Sequence, residues 1–228
     1  MALLMTTSPR VPVLHAGDKL TRDEFERRYA AMPDLKKAEL IEGVVYMGSP
    51  VSLLRHGQPH AVLWSWLCNY WEETPGLIAG DNSTLRLDLD NEPQPDLLLW
   101  LPAPVGGRSR ITPDGYLEGP PELVIEVAAS SVSYDLHQKL DAYRRNGVQE
   151  YLVHRVEDVE VDWFVLEGGV YVRQHPTADG KLKSRVFPGL WLDVPALLRG
   201  DLRALRATIE GGVADPEHAA FVGRLASP

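Results

Sequence analysis

Three stretches of this chain place acids where a carboxylate is hard to keep. Glu126 sits inside the apolar run 122–128, ELVIEVA, and Asp96 opens the run LLLW directly after Pro95. Glu39 and Glu42 lie in or beside AELIEGVVY at 38–46. A buried carboxylate costs on the order of several kcal/mol unless a cation or hydrogen-bond donors meet it. Hard divalent cations prefer oxygen ligands, and magnesium takes one or two carboxylates together with waters and a substrate phosphate. If the strands carrying Asp96 and Glu126 are neighbours, the two acids converge. With a backbone carbonyl such as that of Val127 they would make half a coordination shell for Mg²⁺ or Mn²⁺. That chemistry is water attack on a phosphate ester. A cation from Lys139 could then orient the water or offset developing charge.

The elements that must position these residues centre on 121–153. Alternation across 122–128 puts Glu122, Val124, Glu126 and Ala128 on one face of a strand, and Leu123, Ile125 and Val127 on the other. The period then changes: Leu136, Leu140 and Tyr143 recur as the stripe of an amphipathic helix. Ser131 or Ser133 can cap its start, and Asn146-Gly147 can end it. Residues 149–153 alternate again, which completes a βαβ unit. Lys139 falls about 60° from Leu136 and about 100° from Leu140 around such a helix. On helical position alone, reaching over the sheet toward the acids and pairing with Asp135 one turn earlier are equally open.

The flanks supply supporting elements. Thr21-x-x-Glu24 resembles a capping box for a helix to about Ala31. Residues 38–46 read as a first strand with a bulge at Gly43. A helix from Pro59 carries the stripe Leu63, Trp66, Leu67 and Tyr70, with His56 and His60 at its front. Those two histidines read more readily as packed or capping groups than as site residues. Residues 84–89 alternate as a half-exposed strand, 95–100 form a buried one, and 102–120 form a Pro/Gly-rich loop containing Arg108 and Arg110. A hairpin turns at 167–169, a last strand and turn cover 184–191, and short outer helices cover 195–209 and 216–225. The expected division is a flexible tail at 1–17, one α+β domain at 18–200, and peripheral C-terminal helices at 201–228.

Composition sets limits. The chain has 228 residues, 44% of them apolar, which suffices to fill a core. A net charge of −9 argues against coating nucleic acid through a general basic surface, but leaves room for an enzyme that meets phosphate through a metal. Cys68 is the lone cysteine, so an intrachain disulfide and a multi-cysteine zinc site are excluded. With no signal-like or membrane-spanning run, a cytoplasmic location is expected.

ELIEG, then PQPD, then PELVIEVAAS-x5-D-x3-K-x3-Y-x2-NGVQEYLV together resemble the Uma-two family of bacterial endonucleases, within the PD-(D/E)XK restriction-endonuclease-like superfamily. The resemblance runs from about Ala38 to Leu192. It implies a restriction-endonuclease-like mixed sheet flanked by helices, with a β-hairpin extension and C-terminal helices. It implies Asp96 and Glu126 as Mg²⁺ or Mn²⁺ ligands, with DNA as substrate. An acid of ELIEG is carried over as well, Glu39 in preference to Glu42. The superfamily's usual lysine position, two residues after the strand acid, is Ala128 here. The resemblance instead points to a helix lysine, and Lys139 matches it. AASSVSYD departs from the family's usual Leu-Ser-Pro-Ser type turn.

Three readings follow. The first is a metal-dependent phosphodiesterase cutting DNA, for which homodimerisation is the simplest route to cleaving both strands. The second is a non-enzymatic binding or assembly module that keeps the fold, and the acidic net charge speaks for it. The third is an enzyme acting on another phosphate ester.

Overall fold

The computed structural model describes residues 11–48 and 50–226. Its centre is a six-stranded mixed sheet in the order β11-β10-β9-β8-β5-β3. These strands are β3 (Ile78–Asp81), β5 (Leu97–Trp100), β8 (Leu123–Ala128), β9 (Glu150–Arg155), β10 (Glu160–Glu167) and β11 (Val170–Arg173). Only β8 and β9 run parallel, because only they are joined by a helical crossover. The hairpin β10–β11 continues the central sheet rather than standing apart from it.

The alternation expected for 122–128 decides what each face of the sheet buries. Leu123, Ile125 and Val127 pack with Leu63, Trp66, Leu67 and Tyr70 of helix α2 (Gln58–Glu72). Trp66 meets Trp163 edge-on at 6.1 Å. Val124 and Ala128 face the crossover helix, with Tyr143, Tyr151 and Val153. That helix is built in three parts: Val132–Tyr134, a π-helical turn at Asp135–Lys139, and Leu140–Asn146. It ends at Gly147, whose φ of +84° is the left-handed conformation a glycine accepts without strain.

Several flanking expectations are corrected. Residues 38–46 form not one strand but a hairpin, β1 (Ala38–Ile41) with β2 (Val44–Met47). Glu42 and Gly43, with φ of 54° and 71°, make its two-residue turn. Thr21 precedes helix α1 (Arg22–Ala30) but its side chain makes no cap bond. Glu24 turns instead to Arg27 and Arg28, at 2.7 and 2.6 Å.

Only Leu85–Arg86 of 84–89 is strand. The supposed loop at 102–120 supplies its partner, Leu117–Glu118, which in turn pairs with Arg110–Ile111 in a separate three-stranded sheet. Around 184–191 the strands are Lys181–Lys183 and Trp191–Asp193. Ser184 Oγ between them accepts from Phe187 N–H at 2.8 Å and turns the chain.

The C-terminal helices are not peripheral. Leu205, Ile209, Phe221 and Leu225 belong to the α2-side core. Residues 1–10 of the expected tail lie outside the described residues. Further on, Leu14 is buried with Phe25, Leu40 and Val45. Among the described residues no helix is long and apolar enough to cross a membrane.

Candidate active site

Asp96 stands immediately before β5, whose first residue, Leu97, pairs with Ile125 of β8. The same antiparallel register sets Asp96 across from Glu126. At this point β5 has not begun, and the Asp96 carboxylate takes the main-chain donor: Val127 N–H donates to its Oδ2 at 2.7 Å. Asp96 is buried, yet its carboxyl is held below the usual carboxylate range. Burial works against this, but the hydrogen bond and charge of His56 and the Val127 N–H outweigh it.

Glu126 is 4% exposed. Its Oε1 accepts from Lys139 Nζ at 2.9 Å and from Tyr143 Oη at 3.0 Å. Burial pushes its carboxyl up to about 8. Lys139 opposes that rise, while the charges of Asp96, Asp135 and Glu39 add to it. Lys139 is buried in turn, and burial alone would discharge it. Glu126, Glu39 and Asp135 outweigh burial and hold its ammonium well above the ordinary lysine range.

Glu39, on the fully buried strand β1, completes the cluster. Its Oε1 lies 2.9 Å from Lys139 Nζ and accepts from Gln94 N–H at 2.8 Å. Glu42 is not in the cluster; it sits on the hairpin turn and pairs with Arg145. Asp135 lies 3.9 Å from the lysine, so the two readings of Lys139 both describe real contacts, with the sheet acids closer. Asp135 and Lys139 are the two buried residues of the π-helical turn.

These groups open onto a cavity of about 280 Å³ that Lys37, His56, Asn82, Ser130 and Tyr134 also line. His56 was not among the expected site residues. Its Nδ1 is 3.1 Å from the Val127 carbonyl oxygen and its Nε2 is 3.4 Å from Asp96 Oδ1. The hydrogen bond to Asp96, its largest cause, raises the pKa of this ring above the ordinary histidine value. His60 follows one turn later, 2.9 Å from Asp81 and stacked on His56 at 5.8 Å. The i,i+4 spacing of the two histidines at a helix start was visible in the sequence, but nothing there said which strand end they faced. Tyr143, four residues after Lys139, was legible only as a core residue.

The donor set suits a hard divalent cation. Glu39, Asp96, Glu126 and Asp135 put four carboxylates on one cavity, and among the described residues Lys139 is the single ammonium in ion-pair contact with them. Asp96 Oδ2 and Glu126 Oε1 are committed to the protein. The other oxygens of these groups are Asp96 Oδ1 and the Val127 carbonyl, both in contact with His56, and Glu126 Oε2; all three residues line the cavity. Two side chains and one carbonyl are fewer than a full side-chain cage. Among the described residues no group of three or more His, Cys, Asp or Glu could by itself hold a metal ion.

A family model, Uma2, with the description "Putative restriction endonuclease", matches residues 22–195. No curated protein matches the chain. Among solved structures, one from Anabaena variabilis ATCC 29413, titled as a putative nuclease belonging to DUF820, is similar with a TM-score of 0.56. It shares 13% identity, and the alignment covers 76% of this chain and 97% of that one. At that identity the likeness is one of fold.

Proposed function

The chain belongs to the Uma2 family, described as "Putative restriction endonuclease", and on that premise we propose that it is a divalent-metal-dependent endonuclease hydrolysing phosphodiester bonds in DNA. The observation that carries this reading is the convergence of Asp96, Glu126, Lys139 and Glu39 on one cavity, from four separate segments of the chain. Asp96 Oδ1, Glu126 Oε2 and the Val127 carbonyl would hold Mg²⁺ or Mn²⁺. Such an ion supplies charge for the phosphate and lowers the pKa of a bound water.

The protein's own groups do the rest. Lys139, kept charged by its three acids, offers a fixed positive charge beside the attacking water and the developing phosphorane. Tyr143 and Lys139 together hold Oε1 of the Glu126 carboxylate and so pre-orient that group. Glu39 holds the far side of Lys139 and keeps it from swinging toward solvent. Lys37 Nζ, which donates to Gln94 O at 3.2 Å and has no ion-pair partner among the described residues, is placed on the wall to meet a phosphate. Cleavage of both strands of a duplex would use two copies related by a twofold, which sedimentation would reveal.

A lysine 3% exposed against two strand acids supports a working site, since apolar groups in place of such a pair would often serve folding as well or better. The test combines two measurements. Mg²⁺ and Mn²⁺ are titrated calorimetrically into the wild type, Asp96→Ala and Glu126→Ala. Plasmid and single-stranded DNA are then incubated with each protein and metal. Binding to wild type alone, with cleavage lost in both variants, supports the assignment. Binding or cleavage that survives both substitutions removes it.

A further inference from the structure

We propose that His56 is a displaceable bridge that occupies the cation's oxygens until the cation arrives. The inference rests on Asp96 and Glu126 being the cation ligands. Three oxygens in the cavity are uncommitted to strands or to Lys139, and His56 spans two of them, Val127 O at 3.1 Å and Asp96 Oδ1 at 3.4 Å. One imidazole therefore joins the carbonyl of β8 to the acid at the start of β5, the same two groups a cation would have to join. Magnesium prefers oxygen to imidazole nitrogen and keeps most of its waters. The ring and a hydrated ion compete for one place.

The surroundings make the ring easy to move. His56 lies in the π-helical turn Leu53–Gly57, before α2, and its side chain is 28% exposed. Val51, Leu53 and Leu54 beside it are about 70% exposed, so little packing holds this turn. Outside the bridge, the ring stacks on His60 at 5.8 Å. Asp96, Glu126 and Lys139, by contrast, are locked in the sheet and crossover helix. The rigid half of the site is thus built from strands, and the replaceable half from a loosely packed turn. His56 contacts both oxygens at once in place of the ion. On release it leaves a hydrogen-bonding group at the cavity mouth.

The experiment is calorimetric titration of Mg²⁺ and Mn²⁺ into wild type, His56→Ala and His56→Gln, with Asp96→Ala as the ligand control. It is paired with NMR of the His56 ring during Mg²⁺ addition to wild type. Loss of the competing hydrogen bond to Val127 O and of the Asp96 contact is expected to tighten binding by His56→Ala about tenfold. His56→Gln, whose amide can remake one bond, should fall between. The His56 ring signals should move on Mg²⁺ binding, which a merely structural histidine would not show. Weaker binding by His56→Ala would make the ring a ligand and overturn the bridge; unchanged affinity would make it idle. If neither wild type nor His56→Ala binds either ion, the cation site itself fails, and the bridge with it.

Discussion

Lys139 Nζ lies 2.9 Å from a carboxylate oxygen of Glu126. The two residues come from opposite sides of a layer: Glu126 from the middle of β8, Lys139 from the π-helical turn packed over it. Neither is stable in its place without the other. The strand acid makes the helix lysine affordable at full burial, and the lysine keeps the acid oriented.

Lys139→Met should therefore destabilise the protein by about 3 kcal/mol, the range found when one partner of a buried pair is removed. Glu126, Glu39 and Asp135 would be left without their counter-charge. The double variant Lys139→Met/Glu126→Gln should recover a large part of that loss. Urea denaturation of the four proteins forms the cycle. A single variant as stable as wild type would mean the cluster carries no such coupling.

Glu39→Gln and Glu42→Ala should behave differently. Glu39 touches Lys139, so its substitution should lower DNA cleavage by about a hundredfold, comparable to loss of one preorganised electrostatic contact. Glu42 pairs with Arg145 on the half-exposed hairpin turn, and its loss should change stability by about 0.5 kcal/mol or less and leave cleavage intact. Equal losses in the two variants would show that the hairpin, not Glu39, matters.

The contrast between those residues marks how far the sequence could be read. Period and alternation were enough for β8, the crossover helix and β9, because each has one face to bury. They also singled out Asp96 and Glu126, whose charge conflicts with their apolar neighbours. Glu39 and Glu42 stayed unresolved because a two-residue turn at Glu42-Gly43 and a bulge at Gly43 leave the same short pattern. Only the hairpin register sends Glu39 inward. The π-helical turn was illegible, since inserting its wider step leaves the leucine stripe almost unchanged. His56 read as a packed or capping group because its partners, Asp96 and Val127, lie far along the chain and meet it only through the sheet.

Lys37→Ala should weaken DNA binding without changing Mg²⁺ affinity. The side chain lines the cavity and has no carboxylate in ion-pair range among the described residues, so its charge is available to a phosphate. Removing one phosphate contact should reduce the slope of log affinity against log salt by about 1. Fluorescence anisotropy with a labelled oligonucleotide over a salt series measures it. An unchanged slope would place Lys37 outside the DNA path.

A pH dependence of stability should arise away from the site, at Glu150. This residue opens β9 and is completely buried. Its carboxylate accepts from Ser184 Oγ at 2.8 Å and from Arg185 and Val186 N–H at 2.6 and 3.3 Å. Burial still outweighs these donors and pushes the carboxyl from 4.5 up to about 7. The folded protein therefore holds this proton more tightly than the unfolded chain does. Below pH 4.5 both states are protonated and the group contributes no slope. Between 4.5 and about 7 the folded state binds more protons, so stability falls as pH rises, by up to about 3 kcal/mol, and is flat above that. Glu150→Gln removes the ionisation while keeping an oxygen for the main-chain donors. The difference in unfolding free energy between Glu150→Gln and wild type should thus grow in the variant's favour from pH 5 to pH 8. A difference independent of pH would show that the carboxylate is already ionised at pH 5, and that its three donors outweigh burial.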